Sequence, residues 1–171
     1  MQVSSMARVI ALSAGIFGLA GCAPDLGSGA SSFQKQYAAA RTALESGRYD
    51  RAIQGYARLA ETAGPLRSRI ELELAHSYLR SGQFAQAAKM ARRVAQAETG
   101  QGQAAALAVQ ATADHELGLE ALARGDTARG RSFLQQADRA MKSVLDGHED
   151  LDPLGALAAR RASIAVRLKA L

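Results

Sequence analysis

Tryptophan is absent from this 171-residue chain, aromatics make up only 5% of it, and Cys22 is its single cysteine. A lone cysteine cannot close an internal disulfide, so covalent stapling of the fold is excluded. With so few rings, the interior falls to alanine, which is abundant. Such a core implies helices packed closely through small contacts, because Ala is the best helix former and the poorest space filler. Long apolar runs are equally scarce. The run Val9–Ala20 is twelve positions long and weakened by Gly15 and Gly18. It falls short of the roughly 20 apolar residues that cross hydrocarbon. No strand signal of any length occurs, so the expected class is all-α.

Signatures of catalysis and metal binding are missing as well. His76, His115 and His148 belong to no HExxH or Cys/His cluster, and no second ligand with the right chemistry sits at helical spacing from them. The acidic run His148–Asp152 lacks the alternation and the glycine of a calcium loop, and helix capping already accounts for Asp152. No serine sits in a nucleophile motif, and no glycine-rich phosphate loop is present. The chain therefore reads as a non-enzyme with no metal and no cofactor. Its formal charge is +5, with acids placed among the bases as in Arg41, Glu45, Arg48, Asp50 and Arg51. That pattern makes a salt-bridged, solvated surface and argues against a nucleic-acid partner.

What is present begins at the N-terminus. Arg8 is the only charged residue before Cys22, and the apolar run follows it directly, which is the pattern of a secretory signal. Leu19-Ala20-Gly21-Cys22 then resembles the lipobox of bacterial lipoproteins. The resemblance implies cleavage before Cys22 and acylation of that cysteine with three chains of the palmitate type, which is firm anchoring. It also implies the outer membrane of a Gram-negative cell, facing the periplasm, because Ala23 stands where an inner-membrane retention signal shows Asp. Residues 1–21 are thus read as the signal peptide, and 22–32 as the lipidated cysteine and a flexible Gly/Ser/Pro tether. Residues 33–171 are read as one helical domain.

The domain contains an internal repeat. "SGRYDRAIQGYARLAE" from Ser46 matches "SGQFAQAAKMARRVAQ" from Ser81, with Gly47 and Gly82, Tyr49 and Phe84, and Ala52 and Ala87 each 35 residues apart. Upstream of the second copy, Leu74, Ala75 and Tyr78 share one helical face. A third copy from Ala123 has Gly125 at the turn, Asp126 as N-cap and Gly130 at the small position. Gly125, however, lies 43 residues after Gly82. The eight extra residues equal about two helical turns, so the preceding helix is expected to be long, from about Gln103 to Ala123. A last helix is expected to start at Asp152-Pro153, with Leu154, Leu157, Ile164, Ala165 and Leu168 as its apolar stripe.

These spacings resemble the tetratricopeptide repeat, a helix-turn-helix unit of about 34 residues. The resemblance implies a solenoid of about three helix pairs closed by a C-terminal capping helix. It further implies a concave groove, lined by the first helix of each pair, that takes a protein or peptide partner. On that face it places Tyr37, Arg41, Arg69, Leu72, His76, Arg80, His115 and Leu119. Arginines there suit an acidic segment or a carboxylate. Small lipoproteins of this layout resemble accessory proteins of pilus assembly and secretion, including those of the Flp/Tad pilus. The expected function is a membrane-anchored periplasmic scaffold for such a machine. The alternative is an envelope-maintenance scaffold for outer-membrane protein insertion or peptidoglycan enzymes.

Overall fold

Gly47, Gly82 and Gly125 all hold left-handed backbone, with φ of 73°, 77° and 80°. Each closes the same two-bond cap. At the first, Arg48 N donates to Ala43 O at 2.8 Å and Gly47 N to Leu44 O at 3.1 Å. At the second, Gln83 N donates to Tyr78 O at 2.9 Å, and at the third Asp126 N donates to Ala121 O at 2.9 Å. This is a Schellman stop, which satisfies the last carbonyls of one helix while the glycine reverses the chain. Three helix pairs are built around these turns.

The computed structural model describes residues 27–171. The expected signal at 1–21, Cys22 and the first part of the expected tether lie outside the described residues. The helices are α1 (Gly27–Glu45), α2 (Tyr49–Thr62), α3 (Arg67–Arg80), α4 (Phe84–Ala97), α5 (Gly100–Ala123), α6 (Thr127–Gly147) and α7 (Ala156–Ala170). Short 3₁₀ turns cover Gly64–Leu66 and Glu149–Leu151. No strand occurs among the described residues, so the all-α class holds for them. No helix among them is long and apolar enough to cross a membrane.

Burial repeats with the sequence. On α2 the buried residues are Ala52, Tyr56, Leu59 and Ala60, and on α4 they include Ala87, Ala91, Val94 and Ala95 at the same positions 35 residues on. Gly130, Leu134 and Ala137 continue the pattern on α6. This is the spacing that buries one helical stripe and leaves the other faces to water. Small residues bring the axes together. A Cβ on Gly55 would stand 2.9 Å from Ala40 Cβ, and one on Gly130 would stand 2.5 Å from Leu122 and 3.2 Å from the Gly118 carbonyl. Each helix packs on the next in chain order, and α3 also touches α5.

Three expectations need correction. Helix begins before residue 33, because α1 opens at Gly27. Once Phe33–Glu45 is helical, extending backwards fixes only one residue for each bond gained. The last helix opens at Ala156 and not at Pro153. Asp152 still caps it, accepting from Leu157 N and Ala158 N at 2.9 Å each, but across an intervening turn that ends at Gly155 with φ 67°. Those two backbone donors hold its carboxyl below the ordinary range. Leu154 consequently precedes the helix and is 92% exposed, and Ala165 also faces water. Finally, the long helix α5 starts at Gly100, three residues earlier than expected, and α6 is lengthened with it to 21 residues. A longer antiparallel partner is needed to cover the added turns of α5.

Candidate functional site

Three cavities lie along the side of the molecule lined by α1, α3 and α5. The first, about 510 Å³, is bounded by Phe33 and Tyr37 of α1, by Leu66, and by Arg69 of α3. The second, about 400 Å³, shares Leu66 and Arg69 with it and adds Leu72, Ala105 and Leu151. The third, about 390 Å³, shares Leu72, Ala105 and Leu151 and runs on past His76 to Leu157 at the start of α7. Shared walls make them one trough. Its lining mixes aliphatic side chains with Ser68, Gln101 and the acids Glu73, Glu98 and Asp152, and Leu66 is half exposed at its rim.

Polar groups fix the walls. Tyr37 donates its hydroxyl to Glu73 Oε1 at 3.1 Å, and Arg41 Nη1 approaches the same oxygen at 4.0 Å, so α1 is tied to α3 through one carboxylate. Arg41 also donates to Glu45 at 2.7 Å, and that bond most of all pushes its pKa still higher. His76 is open to water by area, yet it lines the third cavity, where the loss of solvent on its inner side lowers its pKa. Arg80 and Arg41 act in the same sense and Glu73 opposes them. Arg69 lines two of the cavities, is exposed, and makes no ion pair among the described residues.

The residues expected on a common face divide into two groups. Tyr37, Arg69, Leu72 and His76 line the trough, and Arg41 reaches its wall through Glu73. Arg80, His115 and Leu119 do not. Arg80 is the last residue of α3 and turns to α2, donating to the Tyr49 hydroxyl at 3.5 Å with its guanidinium 5.9 Å from the ring centre. His115 is only 7% exposed because Arg160 of α7 reaches over it, donating to Nδ1 at 2.9 Å and to Glu116 Oε1 at 2.6 Å. The accepting Nδ1 puts the ring proton on Nε2, and burial lowers its pKa. Leu119 is half-buried and lines none of the three cavities.

Sequence reasoning missed Glu73, Phe33, Leu151 and Leu157. Glu73 stands in Glu71-Leu72-Glu73, where nothing local separates the two acids. Glu71 turns inward, bound by Arg67 at 2.9 Å and by Arg93, while Glu73 turns to the trough. Leu151 and Leu157 reach the trough only because the chain folds back after α6. No cluster of three or more His, Cys, Asp or Glu suited to a metal occurs among the described residues. Comparison with protein-family models, curated proteins and solved structures gives no match for this chain, so its reading rests on the geometry above.

Proposed function

We propose that the chain is a non-enzymatic adaptor of the tetratricopeptide kind. In this reading it is a helical solenoid held at the outer membrane through lipid on Cys22, and it captures a protein segment to scaffold an envelope machine such as a pilus or secretion system. The observation that carries the reading is the trough: a channel across three helices with aliphatic stretches at Leu66, Leu72, Ala105 and Leu151, and with the unpaired Arg69 where its first two cavities meet. Side chains of a bound segment would seat against Phe33, Leu66 and Leu72. A carboxylate would take the Arg69 fork through two parallel hydrogen bonds, which is the strong form of that contact. The anchor is supported by the signal-like run and by Leu19-Ala20-Gly21-Cys22.

Cross-linking and pull-down of the tagged full chain from envelope fractions tests the capture. Arg69→Glu should reduce the recovered partner at least fivefold, while Arg139→Glu on the exposed side of α6 should not. Equal effects of the two would refute the trough as the capture site. Labelled palmitate tests the anchor separately. Cys22→Ser should abolish incorporation and membrane retention, and undiminished labelling would exclude lipidation at that residue.

A further inference from the structure

A fourth cavity, about 540 Å³, shares no residue with the trough. It follows α4, where Lys89, Arg92 and Arg93 border it together with the amides of Gln86 and Gln96. Tyr78 of α3 and Met90 supply an apolar floor. No acidic side chain lines it, and α4 as a whole carries those three cations and no Asp or Glu. The two arginines are held from behind. Arg93 binds the buried Glu71 of α3, and Arg92 Nη2 lies 3.7 Å from Asp114 of α5, which is fully buried. Guanidinium groups positioned in this way lose less freedom when they take a ligand. Lys89 and Gln96 are exposed and make no hydrogen bond or ion pair among the described residues.

Positions 86, 89, 93 and 96 recur every three or four residues, so they form one stripe about 15 Å long on the helix. An extended peptide covers that length with about four or five residues. We propose that this recess docks an acidic segment of a partner protein, with one apolar side chain on the Tyr78–Met90 floor and carboxylates on Lys89, Arg92 and Arg93. Charge complementarity selects the acid. The recessed floor selects a protruding side chain over a flat layer of lipid headgroups, and the two amides match a peptide backbone. The chain then has two separate docking sites, as a scaffold requires, and the second stands whether or not the trough binds anything.

The test is fluorescence anisotropy of a labelled acidic pentapeptide with a central leucine (EELEE), titrated with the full chain in a neutral detergent. Binding at low salt should weaken at least tenfold in the double variant Lys89→Glu, Gln96→Glu. It should persist in Lys89→Gln, Gln96→Lys, which moves the charge along the same stripe and so separates charge from damage to the fold. Loss of binding on Arg69→Ala would put the peptide in the trough and overturn the proposal. So would equal affinity of the double variant and the unaltered chain. Displacement of the peptide by short-chain phosphatidylglycerol at matched charge would overturn it in favour of a lipid headgroup.

Discussion

Asp114 and His115 are neighbours on α5, yet one turns to Arg92 on α4 and the other to Arg160 on α7. Neither direction is written in the dipeptide, because each is decided by the helix that covers it. Asp114 is fully buried. Its Oδ2 accepts from Gln110 at 3.2 Å, and its Oδ1 has no partner. Burial raises its pKa and outweighs the opposing pulls of Gln110 and Arg92. The folded chain thus holds this proton more tightly than the unfolded chain does, and stability falls as pH rises from the ordinary value of 3.8 through the raised one. Asp114→Asn should therefore melt higher than the unaltered chain at neutral pH, because the amide carries no charge to be held out of water. The advantage should shrink as the pH approaches 4. Melting curves across that range check both statements, and a lower melting point at neutral pH would show that the Arg92 pairing outweighs the burial.

At the scale of elements, the pairing of α5 with α6 rests on two glycines. A Cβ on Gly118 would meet Leu134 at 2.9 Å, and one on Gly130 would meet Leu122 at 2.5 Å. Gly130→Ala should push the helices apart at a cost of about 1–3 kcal/mol, despite the better helix propensity of alanine. Gly147 ends the same helix in open space, where an added Cβ would meet nothing within 4 Å, and Gly147→Ala should stabilise by about 0.5–1 kcal/mol. Denaturant melts of the two variants should shift in opposite directions. Features of this kind were legible in the sequence: left-handed glycines at 47, 82 and 125, small residues at 52, 87 and 130, and the cap at Asp126 depend on local chemistry. The trough was legible at Tyr37 of α1 and along α3. Arg69, Leu72 and His76 follow from the phase of α3, whereas the fate of His115 depends on where α7 comes to rest.

For the whole molecule, contacts run mainly from each helix to its successor. Support is then passed between neighbours and not drawn from one central core. Ile164 of α7 packs into the cluster of Leu134, Ala137 and Met141 on α6 with Ala111 on α5. Ending the chain after His148 should therefore speed amide hydrogen exchange in α5 and α6 and leave α1 and α2 close to their original protection. Uniform loss of protection along the chain would show a single cooperative unit instead. Contacts that are close in sequence also bear on assembly. A chain of low contact order closes few long loops and folds quickly. If it leaves a translocation pore with its N-terminus first, α1 and α2 can clasp at Ala40 and Gly55 while the later helices are still threading. Each pair would complete its turn with residues that have already emerged, so little apolar surface would wait uncovered for a distant partner.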